Sequence, residues 1–178
     1  NNLAEMSIRP TWDLIKSDIN NLYSGGNRGD MTHPNGIAIA IKSDGVRVNN
    51  VYGGCRMADV NPGENIPIGE EIYGYTFEPG YAARVYITGG KINNIYGGND
   101  ISGKVYYGTN VEIHGAISGD VYGAGNGSYA YTDNPDWVAM HPEDADFFYD
   151  KGSSSVDALY HHRPHVESTL LHIAGGED

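Results

Sequence analysis

Cysteine occurs once in the chain, at Cys55, so no disulfide can form within it. Secretion does not require disulfides, and the count leaves the compartment open. Basic residues are scarce: 11 Lys and Arg stand against 23 Asp and Glu, a formal net charge of -12. Nucleic acid and anionic membrane both reward Lys and Arg, so neither is expected as a main partner. No stretch of 18 apolar residues occurs, which excludes membrane insertion by a helix. Long Ala/Leu/Glu/Lys stretches are also missing, which argues against a helical bundle. No secretory leader is expected within the chain, and since it opens at Asn1 rather than Met, a mature product or an excised piece of a longer protein is expected.

Glycine and tyrosine are abundant instead, at 25 and 14 residues, while Phe occurs only 3 times. Glycine at this level implies many tight corners or close backbone approaches. Tyrosine suits pleated, half-buried surfaces with one wet end. Together they point to many short strands.

The strongest feature is an internal repeat. Ile19-Asn20-Asn21-Leu22-Tyr23-Ser24-Gly25-Gly26-Asn27 returns as Val48-Asn49-Asn50-Val51-Tyr52-Gly53-Gly54-Cys55 and as Ile92-Asn93-Asn94-Ile95-Tyr96-Gly97-Gly98-Asn99. A looser copy runs from Ile117 to Asn126 through Val121-Tyr122-Gly123. A second element precedes the later copies: Ile39-Ala40-Ile41, Val85-Tyr86-Ile87 and Val111-Glu112-Ile113, with Leu171-His172-Ile173 near the end. The last copy breaks off, which supports the expectation of a piece cut from a longer array. The tyrosines Tyr23, Tyr52, Tyr96 and Tyr122 are separated by 29, 44 and 26 residues. A period in the twenties, interrupted by insertions, belongs to solenoids, in which each unit is one turn.

Each unit therefore reads as a short alternating strand, a glycine corner, a second strand and another glycine corner. Alternation turns Val85 and Ile87 to one inward face. Gly-Gly is expected to supply corner conformations that a Cβ disfavours, and Asn beside the corner tolerates left-handed backbone. Equivalent Asn and Tyr side chains are expected to ladder between copies. The expected fold is all-β: a right-handed parallel β-helix or β-solenoid forming one segment over 1–178, with rim loops inserted at about 56–80 and 129–167. A sandwich or barrel with coincidental Tyr-Gly pairs is the alternative.

Val85-Tyr86-Ile87-Thr88-Gly89-Gly90-Lys91-Ile92 and Ile95-Tyr96-Gly97-Gly98-Asn99 resemble the Gly-Gly…Tyr-Gly-Gly-Asn repeats of very large cell-surface proteins of Bacteroidetes. The resemblance covers about 12–128 and resumes at 168–178. It implies an adhesin-like or otherwise structural role outside the cell, secreted or at the cell surface. The partners it implies are other repeats of the same protein and a host or bacterial surface protein or glycan. It supplies no catalytic residue.

The insertions are where this chain departs from that pattern. Segment 56–80 carries turn signals around Glu71-Ile72-Tyr73-Gly74-Tyr75-Thr76-Phe77, which reads as a hairpin. Segment 129–167 mixes aromatics with acids. Trp137, Phe147, Phe148 and Tyr149 are candidate ligand-binding residues, since aromatic faces stack on sugars; alternatively they cover the side of the scaffold. Asp133, Asp136, Asp144, Asp146, His161 and His165 are candidate metal ligands. The His161 to His165 spacing is permitted for zinc, and the acidic cluster suits calcium, which takes oxygen ligands. No cofactor is required by this pattern, with calcium the ion the acids would suit; surface histidines are the plainer reading of His161 and His165.

A glycan-cleaving β-helix would need paired carboxylates. The repeats offer mainly Glu112 and Asp120, which read as solvated surface acids. No catalytic residue is nominated. The sequence favours a structural or adhesive segment, with a carbohydrate-binding or polysaccharide-degrading protein using the 129–167 insertion as the alternative.

Overall fold

The computed structural model describes residues 16–64, 66–72, 74–115, 119–128 and 163–174. Twelve strands form among them, and no helix. In chain order they are β1 Ser17–Tyr23, β2 Ile37–Ile41, β3 Val46–Tyr52, β4 Glu70–Ile72, β5 Tyr75–Phe77 and β6 Ala83–Ile87. There follow β7 Lys91–Tyr96, β8 Lys104–Val105, β9 Thr109–Ile113, β10 Asp120–Tyr122, β11 His165–Val166 and β12 Thr169–Ile173.

The aliphatic-Asn-Asn-aliphatic-Tyr copies become β1, β3 and β7, which pair in parallel with β10 beyond them, in the order β1-β3-β7-β10. The Val-x-Ile copies become a second parallel sheet, ordered β12-β9-β6-β2. Their inward side chains meet. Val48, Val51, Val85, Ile87, Ile92, Ile95, Val111 and Ile113 form one buried cluster between the two sheets. Full burial of each such side chain stabilises by about 1.5–3 kcal/mol. A smaller cluster gathers Ile37, Cys55, Ala58, Val60, Ala82, Ala83 and Val105.

Aliphatics three apart, such as Ile92 and Ile95, both reach the core. Strict alternation would send them to opposite faces. The Asn pair lies between them, and its amides bond to their equivalents in the next copy. Asn94 Nδ2 donates to Asn50 Oδ1 at 2.9 Å, and Asn50 Nδ2 donates to Asn21 Oδ1 at 2.8 Å. A parallel file runs from Asn93 through Asn49 to Asn20, at 2.9 and 3.2 Å. The tyrosines stack face to face: Tyr23 on Tyr52, Tyr52 on Tyr96 and Tyr96 on Tyr122, at 4.7, 5.0 and 5.0 Å between ring centroids. Both kinds of ladder were expected from the repeat.

The β-helix or β-solenoid expectation is corrected. The described strands do not form one uniform coiled stack. They divide among four sheets, two of four strands and two of two strands, and one of the small sheets, β4-β5, is antiparallel. The class is mostly-β with small mixed sheets, strand making up 48% of the described residues. The physical reason lies in the unequal copies. Residues 70–77 pair with themselves as a hairpin around Gly74, whose φ is +81°, and alongside the short β8-β11 sheet the other copies contribute only single bridges, Met31 to Val60 and Val60 to Val105.

Two local expectations are corrected as well. The Gly53-Gly54 and Gly97-Gly98 corners do not use positive φ, and Tyr107 is the one non-glycine residue with positive φ among those described. Glycine is needed there for space. A Cβ on Gly53 would strike the Gly97 carbonyl, and one on Gly97 would strike the Gly123 carbonyl. Asn99, at a corner, is fully buried and works as a bridge rather than as a left-handed residue. Its Oδ1 accepts from Cys55 N at 2.7 Å, and its Nδ2 donates to Ala58 O at 2.9 Å.

Candidate functional site

In the second sheet, the inward positions of the Val-x-Ile copies are aliphatic, whereas outward positions vary from copy to copy. Register sets Ala40, Tyr86, Glu112 and His172 side by side across β2, β6, β9 and β12. Two residues earlier in each strand, on the same face, stand Ala38, Arg84, Asn110 and Leu170. The β4-β5 hairpin lies over this outer face. Phe77 is buried, its ring 6.4 Å from that of Tyr86 and 5.8 Å from the Arg84 guanidinium. Tyr75 stacks on Tyr86 at 4.6 Å. Arg84 anchors the hairpin, donating to Glu70 Oε1 at 2.8 Å and to the Ile68 carbonyl at 2.7 Å.

With the core on one side and the hairpin on the other, every residue of β9 is buried. Glu112 is therefore a buried carboxylate, 2% exposed, and not the solvated surface acid that its sequence context suggested. Burial of a carboxylate is tolerated only with close compensation. Asn110 Nδ2 donates to its Oε1 at 3.0 Å. The Tyr75 hydroxyl also bonds to Glu112; burial first, and this bond second, push the Tyr75 phenol above its ordinary value. The other carboxylate oxygen, Oε2, faces imidazoles: His172 Nδ1 at 2.9 Å and His114 Nε2 at 3.6 Å. Glu112, His114 and His172 each bring one donor atom to within 4.8 Å of the others. The His114 and His172 rings are nearly perpendicular, at 87°, and Tyr75 and Tyr86 both lie against His114.

Trp137, Phe147, Phe148, Tyr149, Asp133, Asp136, Asp144, Asp146 and His161 lie outside the described residues. His165 opens β11, is exposed, and belongs to no group of metal-ligating side chains among the described residues. Its backbone N–H donates to Gly103 O at 3.0 Å. Asp30 is tied into the scaffold, since its Oδ1 accepts from Asp59 N at 2.9 Å. Cys55 is structural: burial foremost, with the Asp30 and Asp59 charges, pushes its thiol up to about 12.

Sequence reasoning passed over the Glu112–His114–His172 group, although the signal was present. Aligning Tyr86, Glu112 and His172 as the middle residues of three Val-x-Ile copies already makes them neighbours. His114 follows two residues after Glu112 on the same strand face. The burial of that face was not legible, because the hairpin covering it comes from an insertion.

A second polar feature lies on the outside of the first sheet. A shallow groove there is lined by Asp18, Asn20, Arg47, Asn49, Lys91 and Asn93, among others. Neither a family model, nor a curated protein, nor a solved structure matches the chain.

Proposed function

We propose that this chain is a structural and adhesive segment of a repeat protein that acts outside the cell, secreted or on the cell surface. The observation that carries the reading is the tyrosine ladder, whose rings stack at 4.7–5.0 Å with interplanar angles of 7–9°. Ladders of like side chains make each join between copies resemble the one before, so neighbouring copies pair by one rule. The apolar rows are exposed at one side of the sheets, with Tyr122 45%, Leu171 40% and Ile173 53% exposed, which suits contact with further repeats. The excess of acids favours solubility and self-repulsion of the surface. The role needs no catalytic group.

Carbohydrate recognition is a second reading, favoured by the file of amides at Asn20, Asn49 and Asn93 in the groove. Amides donate and accept at once, which suits sugar hydroxyls. Beads coated with the chain, tested for retention under flow on surfaces bearing glycans or matrix proteins, distinguish these readings. Retention without any polysaccharide breakdown supports the adhesive role. Release of new reducing ends from a polysaccharide would overturn it. Glycan binding lost on Trp137→Ala would assign recognition to the 129–167 insertion, and loss on Asn49→Ala to the groove.

A further inference from the structure

We propose that Glu112, His114 and His172 bind a first-row transition-metal dication of the zinc class, joining β9 to the edge strand β12. Three properties of the group lead there. The donor set is two imidazoles and one carboxylate, the chemistry that zinc takes at sites with three protein ligands and an open fourth position. The donor atoms converge: Glu112 Oε2 has His172 Nδ1 at 2.9 Å and His114 Nε2 at 3.6 Å, and all three lie within 4.8 Å of one another. Metal–ligand bonds of about 2.0–2.2 Å place tetrahedral ligands a little over 3 Å apart, so small side-chain adjustments close a cation in.

The third property is the surroundings of the carboxylate. The Asn110 amide and the Tyr75 hydroxyl, both neutral donors, hold Glu112. The nearby guanidinium of Arg84 is engaged by Glu70 and the Ile68 carbonyl. A cation between Oε2 and the two imidazoles would compensate the buried negative charge that neutral donors only solvate. Asn110 and Tyr75 would then be the outer partners that fix a ligating carboxylate in place. The Tyr75 and Tyr86 rings would wall the site on the hairpin side, leaving the fourth position for water or an exogenous ligand. Because Glu112 and His172 are 60 residues apart in sequence, the bound ion would cross-link distant parts of the chain and pin β12 to its sheet.

The test is titration of the chelator-treated full chain with cobalt(II), whose visible d–d bands report low-symmetry coordination, and calorimetric titration with zinc. One equivalent bound, with a raised thermal midpoint, is expected. His172→Ala and His114→Ala should each remove the bands and weaken binding more than about 100-fold, while Tyr75→Phe weakens it about 10-fold. His165→Ala and the double change His161→Ala/His162→Ala should leave binding intact. His172 is 58% exposed on an edge strand, so its truncation should leave the metal-free fold unchanged by circular dichroism. No uptake, uptake indifferent to His172→Ala, uptake lost in the His161→Ala/His162→Ala chain, or uptake of calcium alone would each overturn the proposal.

Discussion

Replacing Gly97 by alanine tests whether glycine serves this fold by its size rather than by its backbone freedom. Gly97 has no positive φ, so alanine can adopt its conformation. The difficulty is contact. The new methyl would strike the carbonyl oxygen of Gly123 in the neighbouring copy and approach Val111 Cγ2 at 2.8 Å. Neither neighbour yields easily. The Gly123 carbonyl is backbone, and Gly97 N is itself held by Tyr122 O at 2.9 Å, while Val111 is fully buried in the core. Overpacking by one methyl costs about 1–3 kcal/mol when side chains give way. Here a backbone separation near the normal strand spacing must open, so about 2–4 kcal/mol is expected. For a chain of this size that lowers the thermal midpoint by about 4–16 °C. Gly29→Ala is the control: a methyl there meets nothing within 4 Å, and its φ is not left-handed. Reduced freedom of the unfolded chain should make Gly29→Ala neutral or stabilising by about 0.4–1 kcal/mol. Urea unfolding of both variants, followed by circular dichroism, measures the contrast. Gly97→Ala within about 0.5 kcal/mol of Gly29→Ala would refute the steric account.

Ile95→Ala, in the centre of the core between the sheets, should cost about 2–5 kcal/mol in the same unfolding assay. Arg84→Ala removes the anchor of the β4-β5 hairpin and leaves Glu70 without that guanidinium; a loss of about 2–3 kcal/mol and faster amide exchange in 70–77 are expected. Cys55 should resist alkylation in the folded chain at mildly alkaline pH and react once urea unfolds it, because burial holds the thiol protonated. The Lys104 hydrogen bond, aided by the Tyr107 N–H, lowers the Glu167 carboxyl below its ordinary value. That contribution is therefore complete above the unfolded carboxyl range near pH about 4.3 and is lost as pH falls through the lower folded value. Both side chains are more than one-third exposed, 34% and 41%, so it amounts to under about 1 kcal/mol. The stability gap between the native chain and Glu167→Gln should shrink toward zero in acid.

The parts of the structure that the sequence made legible are those where identical side chains meet. Tyr23, Tyr52, Tyr96 and Tyr122 recur with the same flanks and stack, and the Asn pairs recur and bond from copy to copy. Inward aliphatics such as Val85 and Ile87 followed from alternation. The global architecture was misjudged because a repeat specifies how neighbouring copies pair, not how far one pattern extends. The hairpin within 56–80 was legible from its turn signals, yet nothing in its own residues revealed that it would cover Arg84, Asn110 and Glu112. Burial of that face is a long-range consequence of packing, which local propensity does not encode.

The Glu112 group carries no repeated motif for a related reason. Inward positions of the Val-x-Ile copies are held to one size class by packing, so they state the consensus and nothing further. Outward positions are free of that demand. Beneath the hairpin they have become Arg84 and Tyr86 on β6 and Asn110 and Glu112 on β9, with Leu170 and the exposed His172 on the edge strand β12, while β2, at the other edge, keeps Ala38 and Ala40. Divergence at a buried position is costly unless the new polar groups find partners, and here Glu112 finds one along its own strand in Asn110 and one across the register in His172. Chemistry in a repeat protein of this kind is therefore to be sought in the differences between aligned copies, at the register positions a later insertion buries, and not in the motif that the copies share.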